Sequence, residues 1–226
     1  NSSQQISQIL QLANSHHIPV VPIGARTGLS GGMLAVHQGI GLSMERFDKI
    51  LSIDEKNLQV TVEPGVITQY LQEAVLEKKL FYPVDPSSKG SCFIGGNVAE
   101  NSGGARAVKY GVTKDYVLNL EVVLPTGEIV WTGANTLKNS TGYNLTQLVV
   151  GSEGTLCVIT KIVLKLIPVT KHNILMLVPF YDMLQAAEAV SKIFRAGIVP
   201  SALEFMERDA IDWTMKYVEI TNLNLN

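Results

Sequence analysis

Two glycine-rich stretches carry the residues whose types and spacing could do chemistry. Residues 83–104 hold five glycines, four serines and two asparagines within 22 positions, and residues 24–32 have the same character in a shorter loop. Glycine reaches positive-φ conformations at little cost and lets a ligand come close to the backbone. Consecutive backbone N–H groups in such loops form concave binding sites for anions. Two such loops in one chain predict an extended ligand that carries phosphate groups.

The shorter loop follows a predicted strand, and it could wrap a pyrophosphate with its backbone N–H groups. The hydroxyl groups of Thr27 and Ser30 could assist. Its glycine spacing differs from the Rossmann fingerprint, and the Gly-Lys-Ser/Thr of a Walker A loop is absent. An ordinary surface loop is the alternative, which glycine content alone leaves equally open.

The longer stretch contains a second candidate site. The sequence from Ile94 could turn into a short helix whose N-terminal N–H groups bind an anion, with Asn97 and Asn101 hydrogen-bonded to a polar ring edge. A structural loop that closes one sheet over another is the alternative. Farther along, Glu153 lies in a Gly-Ser-Glu-Gly turn and could hold the loop or a ribose, although a purely structural turn is the favoured interpretation.

The elements that must position these loops predict an α+β fold. A serine cap and helical spacing indicate a first helix that ends at Ser15, and Gly197 is typical of the position after a helix end. Further helices are predicted over residues 68–79, 184–195 and 209–217. Strands are predicted over residues 18–23, 39–44, 50–53, 58–63, 117–124, 128–132, 156–167, 173–179 and 200–206.

The composition is that of a globular protein and argues against a nucleic-acid partner. The chain has 226 residues, 46% hydrophobic and 17% charged, with a net charge of −2. No apolar run is long enough for a membrane span, and the start lacks the charged and apolar regions of a signal peptide. Because Cys92 and Cys157 are interpreted as free thiols, we expect a cytoplasmic protein, with peripheral membrane association left open.

Taken in order, the motifs of this chain resemble one known family. They are similar to the FAD-linked oxidases of the vanillyl-alcohol oxidase (p-cresol methylhydroxylase) superfamily. The most similar branch is that of the FAD-linked glycolate oxidases, FAD-linked D-lactate dehydrogenase and D-2-hydroxyglutarate dehydrogenase. The resemblance covers residues 18–208. The segments that carry it are residues 24–32, 62–66, 85–88, 94–104, 109–111, 120–125, 141–145 and 151–156.

The resemblance implies both an architecture and an activity. It implies a p-cresol methylhydroxylase-type FAD-binding domain of two subdomains, residues 1–84 and 85–170, with FAD between them. Residues 171–226 would begin a truncated C-terminal cap or substrate domain. The implied activity is oxidation of a D-2-hydroxy acid, such as D-lactate, glycolate or D-2-hydroxyglutarate, by hydride transfer to flavin N5. An oxidase of an alcohol, sugar or phenol, and a non-catalytic flavin-binding subunit, stay open as alternatives.

The cofactor contacts that the resemblance implies fall in several parts of the chain. Residues 24–30 would cradle the pyrophosphate, with Gly31 and Gly32 completing the turn. The expected cofactor-binding residues are Gly24, Ala25, Arg26, Thr27, Gly28, Leu29, Ser30, Pro64, Gly65, Asp85, Pro86, Ser87, Ser91, Ile94, Gly95, Gly96, Asn97, Asn101, Gly103, Gly104, Gly154, Val158 and Ile159, of which the last three would contact the adenosine side.

Two positions depart from the family pattern. Arg26 stands where many relatives have glycine or asparagine, and Ile23 where many have a basic or polar residue. Arg26 could supply a positive charge beside the phosphates, which is the favoured interpretation, or point to solvent. The first loop also lacks the histidine that binds flavin covalently in some members, so noncovalent FAD is expected, and Cys92 is interpreted as a buried thiol.

The catalytic residues cannot be assigned from this sequence. None of its four histidines, His16, His17, His37 and His172, lies in a cofactor motif. The resemblance places the catalytic histidine and the metal-binding residues in a part of the cap that this chain does not reach, so no metal site is assigned within it. The expected partners are a small 2-hydroxy acid and an electron acceptor. Oxygen, a quinone and an electron-transfer flavoprotein all stay open as acceptors, as do a homodimer and a multi-subunit complex.

Overall fold

A computed structural model describes residues 2–218 and shows a mixed helix and sheet structure, which confirms the α+β class. The helices are α1 Ser3–Ser15, α2 Thr68–Leu76, α3 Ile94–Glu100, α4 Ala107–Tyr110, α5 Leu145–Val149, α6 Met183–Arg195 and α7 Arg208–Val218. The strands are β1 Val20–Ile23, β2 Ile40–Ser43, β3 Ile50–Asp54, β4 Gln59–Val62, β5 Leu80–Phe81, β6 Val117–Val123, β7 Ile129–Trp131, β8 Val158–Lys165 and β9 Ile167–Pro168.

The main sheet has the strand order β3-β4-β8-β6-β7, and each neighbouring pair is antiparallel. The central strand β8 pairs with β4 through residues 162–165 and with β6 through residues 158–164. This sheet therefore combines strands from both sides of the subdomain boundary expected after residue 84. The subdomain limits stay predictions, and residues 219–226 of the expected cap lie outside the described part of the chain.

Strands β1 and β2 form a separate parallel pair, with Val20 opposite Ile40 and Ile23 opposite Ser43. Within residues 2–218, β1 pairs with no other strand, as expected for a segment that contains prolines. Strands β5 and β9 form a third, two-stranded antiparallel sheet. Because β1 ends at Ile23, the first glycine-rich loop begins at the carboxyl end of a paired strand.

The main hydrophobic core lies where helices α2 and α3 meet the large sheet. Leu71 and Val75 of α2, and Ile94 and Val98 of α3, are fully buried in it. A second cluster lies under α1; it comprises Ile6, Leu10, Met44, Phe47, Val123 and Val158. The main core holds α3 in place, and the second cluster contacts β1 through Val20; these are the elements beside the candidate site.

A buried carboxylate ties α1 to the large sheet. Glu121 of β6 accepts hydrogen bonds from Ser3 Oγ at 2.6 Å and Thr160 Oγ1 at 2.8 Å, and its other oxygen lies 2.8 Å from Lys161 Nζ. Burial alone would raise the pKa of Glu121, but the hydrogen bonds from Lys161, Ser3 and Thr160 outweigh it and lower the pKa below 4.5. The carboxylate is therefore charged and fully engaged at neutral pH.

The strands predicted over residues 173–179 and 200–206 are wrong, because neither segment forms a strand in the described structure. Both segments have strand-like composition, but neither finds a hydrogen-bonded neighbour among residues 2–218, and an isolated strand is not stable. Ile174 and Leu175 are accordingly 83% and 97% exposed. The helix predicted over residues 184–195 is present as α6, which Asp182 caps at its start and Gly197 (φ 77°) follows.

Candidate functional site

Residues 24–33 form a loop with free backbone donors. Their N–H groups donate to no acceptor within residues 2–218. Arg26 (φ 61°) and Gly31 (φ 77°) adopt the left-handed conformation, which changes the direction of successive peptide groups. Backbone donors in folded proteins are normally paired with protein, water or ligand. A run of free N–H groups is therefore the donor set that an anionic ligand requires.

The loop encloses one side of a cavity of about 200 Å³. Residues of helix α3 and Glu153 also line it. The lining residues are Pro22, Gly24, Ala25, Arg26, Thr27, Gly28, Leu29, Gly32, Met33, Ser88, Phe93, Gly96, Asn97, Ala99, Glu100, Ser102 and Glu153.

The start of α3 does not present its N–H groups to this cavity, which corrects the expectation of a second anion site there. The Ile94 N–H donates to the Val66 carbonyl at 2.9 Å, and the Gly95 N–H donates to the Pro64 carbonyl at 2.7 Å. Only the Gly96 N–H in this turn has no acceptor within residues 2–218. At this point the helix instead leaves part of the cavity open, since a Cβ atom added to Gly96 would meet no atom within 4 Å.

Two carboxylates lie at the loop side of the cavity. The Ser30 hydroxyl is 3.5 Å from Glu100 Oε1 and 3.4 Å from Glu153 Oε2, so one side chain contacts both acids. A Cβ atom on Gly28 would lie only 2.6 Å from Glu100 Oε1, so a larger residue there would require this flexible side chain to move. The cavity thus offers N–H donors along one segment and carboxylate acceptors at another, a combination suited to a ligand with both phosphate and hydroxyl groups.

Two family profiles match the sequence. Residues 1–133 match the FAD binding domain, and residues 169–224 match the C-terminal domain of the FAD linked oxidases. The chain belongs to the FAD-linked oxidase family. FAD is therefore its cofactor, and the described structure comprises the FAD-binding domain followed by the start of the C-terminal domain.

Several relatives of this FAD-linked oxidase chain are named as enzymes, or enzyme subunits, that act on 2-hydroxy acids. The chain is 45% identical to glycolate oxidase subunit GlcD of Bacillus subtilis over 97% of its own length and 47% of the relative's. It is 43% identical to a D-lactate dehydrogenase of Anaerostipes hadrus, covering 96% of the chain and 46% of the relative. It is 37% identical to a D-2-hydroxyglutarate dehydrogenase of Xanthomonas citri, again covering 96% and 46%. The chain thus spans somewhat less than half the length of these relatives.

A solved structure supports the fold independently. An alkyldihydroxyacetonephosphate synthase superposes with a TM-score of 0.73 at 24% identity, covering 89% of this chain and 37% of that one. The chain therefore shares the fold of this solved structure over most of its length.

The cavity fits the diphosphate portion of FAD. Free N–H groups match phosphate oxygens, Arg26 adds a positive charge, and the open space beside Gly96 admits a ligand atom. Small-molecule sites usually measure roughly 300–1,000 Å³. A cavity of about 200 Å³ therefore has room for a part of a dinucleotide rather than all of it.

The expected cofactor residues divide into two groups in the structure. The residues among them that line the cavity are Gly24, Ala25, Arg26, Thr27, Gly28, Leu29, Gly96 and Asn97, and Ser30 contacts two lining carboxylates. The residues that do not line it are Pro64, Gly65, Asp85, Pro86, Ser87, Ser91, Ile94, Gly95, Asn101, Gly103, Gly104, Gly154, Val158 and Ile159. For this second group, cofactor contact stays a prediction.

Several residues of the second group have structural contacts of their own. Gly65 is buried where a Cβ atom would lie 2.6 Å from the Met44 carbonyl oxygen. Asp85 forms an ion pair with Arg106, with Oδ2 and Nε 3.3 Å apart. Val158 and Ile159 lie in the large sheet, opposite Val123 and Val122. These contacts explain the residue types without reference to a ligand.

The sequence reasoning missed part of the α3 face. Phe93, Ala99 and Glu100 line the cavity but were not among the expected cofactor residues, while Ser102, which also lines it, belongs to the motif over residues 94–104. Helical spacing was the available signal, because Phe93, Gly96 and Glu100 are separated by three and four positions. The other lining residues that were not in the expected set are Pro22, Gly32, Met33, Ser88 and Glu153, of which Gly32 was expected to complete the turn.

The remaining reactive side chains lie outside this cavity. Cys92 and Cys157 are free and buried, as the sequence indicated for Cys92, and burial raises the pKa of the Cys157 thiol to about 11. None of the four histidines lines the cavity. No group of three His, Cys, Asp or Glu residues able to hold a metal occurs in residues 2–218. Over the same residues, no helix has the length and apolarity to cross a membrane.

Proposed function

We propose that this chain is the flavin-binding part of an FAD-dependent dehydrogenase or oxidase of D-2-hydroxy acids. The observation that carries the proposal is the run of free N–H groups over residues 24–33, a loop that lines a cavity together with two carboxylates. The relatives are named as a D-lactate dehydrogenase, a D-2-hydroxyglutarate dehydrogenase and part of a glycolate oxidase, and these names indicate the substrate class. D-Lactate, glycolate and D-2-hydroxyglutarate are therefore the first candidates.

The residues of this chain bind and orient the cofactor. The N–H groups of residues 24–33 donate to phosphate oxygens, and the Arg26 guanidinium offsets their negative charge. Glu100 and Glu153, which contact the Ser30 hydroxyl of the same loop, accept hydrogen bonds from ligand hydroxyl groups. When bound, FAD supplies the hydride acceptor of the reaction, flavin N5.

The groups that handle the substrate are proposed to lie in the remainder of the C-terminal domain. The reaction requires a base for the hydroxyl proton and cationic groups for the carboxylate. His16, His17, His37 and His172 all lie outside the cofactor cavity. The segment from residue 171 is proposed to begin the domain that carries these groups, in line with the profile match over residues 169–224.

The test uses the full-length protein. Purified protein should be yellow, and anaerobic addition of D-lactate, glycolate or D-2-hydroxyglutarate should bleach the flavin absorption band. L-Lactate is the matched control and should leave the band intact. Acid precipitation should leave the flavin in the supernatant if FAD is bound noncovalently, as proposed. Reduction by an alcohol, sugar or phenol but by no hydroxy acid would assign a different substrate class, and no reduction by any of them would indicate a binding subunit.

The partners follow from the same proposal. The relative from Bacillus subtilis is named as one subunit of an oxidase, which supports a place in a multi-subunit complex, with a homodimer as the simpler arrangement. Oxygen, a quinone or an electron-transfer flavoprotein would accept the electrons. These acceptors can be distinguished by measuring the turnover rate with each of them, using the hydroxy acid that reduces the flavin as substrate. A cytoplasmic location, with or without peripheral membrane association, is proposed together with this chemistry.

A further inference from the structure

We infer that Thr68 is a positioning residue for the cofactor cavity and that it acts through Asn97. Thr68 lies at the start of α2, outside the cavity, and its side chain is fully buried. Asn97 lies on α3, lines the cavity and is 2% exposed. The inference rests on FAD as the cofactor and does not depend on the substrate.

A short hydrogen bond joins the two side chains. Asn97 Nδ2 donates to Thr68 Oγ1 at 2.6 Å. Thr68 Oγ1 also lies 3.2 Å from Cys92 Sγ and 3.4 Å from the Cys92 carbonyl oxygen. Because the threonine oxygen accepts from Asn97, its single proton is directed to Cys92. The three buried residues thus form one hydrogen-bonded chain, from Asn97 on α3 to Thr68 on α2 and on to Cys92.

This chain fixes which atom Asn97 presents to the cavity. Its amide nitrogen is committed to Thr68, while Oδ1 accepts no hydrogen bond within residues 2–218. Oδ1 is also not among the fully buried polar atoms that lack a partner, so it retains access to the cavity. The cavity therefore offers an acceptor at this point, and FAD carries N–H and O–H groups that can donate to it. An amide turned by 180° would offer a donor instead.

The test is FAD binding by the full-length apoprotein. Thr68→Val removes the oxygen and keeps the side-chain shape, so Asn97 loses its orienting partner. We expect roughly tenfold weaker FAD binding, measured by quenching of flavin fluorescence, which corresponds to the loss of about one hydrogen bond. Thr68→Ser keeps the oxygen and should restore the affinity. If Thr68→Val fails to fold, Thr68→Ala removes the same oxygen in a smaller side chain.

A double-mutant cycle separates positioning from a general structural effect. In an Asn97→Ala background, Thr68→Val should weaken FAD binding no further, because Thr68 acts only through Asn97. The control is Thr146→Val, since Thr146 is also buried and hydrogen-bonded, to Thr132 at 2.8 Å, but lies outside the cavity. It should leave FAD affinity unchanged.

Two results would overturn the inference: full FAD affinity in Thr68→Val, or equal further losses in the presence and absence of the Asn97 side chain. The visible absorption band of bound flavin gives a second readout, which should differ between Thr68→Val and the wild type but not between Thr146→Val and the wild type. Failure of hydroxy acids to reduce the flavin would contradict the proposed function and leave these binding results intact.

Discussion

At the scale of single residues, the Tyr82 hydroxyl group is buried without a hydrogen-bond partner in the described structure. The Thr113 side chain lies close enough to Tyr82 to oppose the effect of burial on its pKa, but the two hydroxyl groups do not reach hydrogen-bond geometry, and Thr113 Oγ1 donates to the Ser102 carbonyl oxygen at 2.7 Å. Burial raises the pKa of Tyr82, so the hydroxyl remains protonated and unpaired. We expect Tyr82→Phe to raise the free energy of unfolding by about 1 kcal/mol, because the desolvation penalty of the hydroxyl disappears.

Tyr116 provides the matched control for this prediction. Its ring packs edge-on against Tyr82, with ring centroids 5.8 Å apart, but its hydroxyl donates to the Tyr110 carbonyl oxygen at 2.8 Å. Tyr116→Phe should therefore lower the free energy of unfolding by about 1 kcal/mol. Chemical denaturation of both variants provides the measurement. A loss of stability in Tyr82→Phe would show that its hydroxyl has a partner after all.

Arg26 combines a charge at the cavity with a left-handed backbone, at φ 61°. Arg26→Asn removes the charge and suits this conformation, because asparagine tolerates the left-handed region better than most residues. We expect FAD to bind roughly tenfold more weakly to Arg26→Asn at low ionic strength. Arg26→Lys is the control; because it keeps the positive charge, it should lose less FAD affinity than Arg26→Asn. Titration at increasing salt should narrow the difference, since screening weakens the attraction; a salt-independent loss would argue against a phosphate contact.

At the scale of elements, the Glu121 network makes the attachment of α1 dependent on pH. The folded-state pKa of Glu121 is lowered, so its contribution to stability is present above the unfolded pKa and is lost as pH falls through the folded pKa. Glu121→Gln should lower the free energy of unfolding at neutral pH by about 1–3 kcal/mol. Below about pH 4, where the unfolded carboxyl becomes protonated, the difference from the wild type should shrink.

Denaturant unfolding at a series of pH values tests this prediction. Glu128→Gln is the control, since the exposed Glu128 side chain has, within residues 2–218, a single hydrogen bond, which it accepts from the Thr126 hydroxyl at 3.3 Å. It should change stability little at any pH. A deficit in Glu121→Gln that persists unchanged in acid would mean that charge is not the source of the stabilisation.

Two adjacent glycines of α3 have opposite structural roles. A Cβ atom on Gly95 would lie 2.9 Å from the Pro64 carbonyl oxygen, whereas one on Gly96 would meet nothing within 4 Å. Alanine is favoured over glycine in a helix by about 1 kcal/mol. Gly96→Ala should therefore stabilise the apoprotein by up to about 1 kcal/mol, while it weakens FAD binding by filling the cavity. Gly95→Ala should destabilise the fold.

Thermal denaturation with and without FAD separates these effects. The stabilisation that added FAD confers on the wild type should be smaller in Gly96→Ala, because ligand-induced stabilisation follows affinity. Wild-type affinity in Gly96→Ala would show that FAD does not approach α3 at this point.

At the scale of the whole molecule, sequence reasoning succeeded where local chemistry decides the structure. The loop over residues 24–32 is recognisable because glycine content and the preceding strand are local features. The hydrogen bonds at the start of α3 are different, because they are tertiary contacts that no local sequence pattern encodes. There the N–H groups of Ile94 and Gly95 donate to the carbonyls of Val66 and Pro64. The strand prediction over residues 173–179 was wrong for the same reason: the composition of the segment suits a strand, but a strand also needs a hydrogen-bonded neighbour.

The segment from residue 169 onward should be the least stable part of this chain when the chain is studied alone. Helices α6 and α7 contain no buried residue, and Trp213 is 76% exposed. Local opening costs little free energy where few apolar contacts are broken. In the 226-residue chain, amide hydrogen exchange should therefore be fast in α6 and α7 and slow in β6 and β8, whose side chains are largely buried.

The same measurement on the full-length protein tests the proposed domain division. If residues 171–226 begin the C-terminal domain, the remainder of that domain should cover the apolar side chains of α6 and α7 and slow their exchange, while β6 and β8 change little. Strands β6 and β8 thus serve as the internal control. Equal protection of α6 and β8 in the 226-residue chain would contradict the burial argument, because α6 would then owe its stability to contacts other than buried apolar surface.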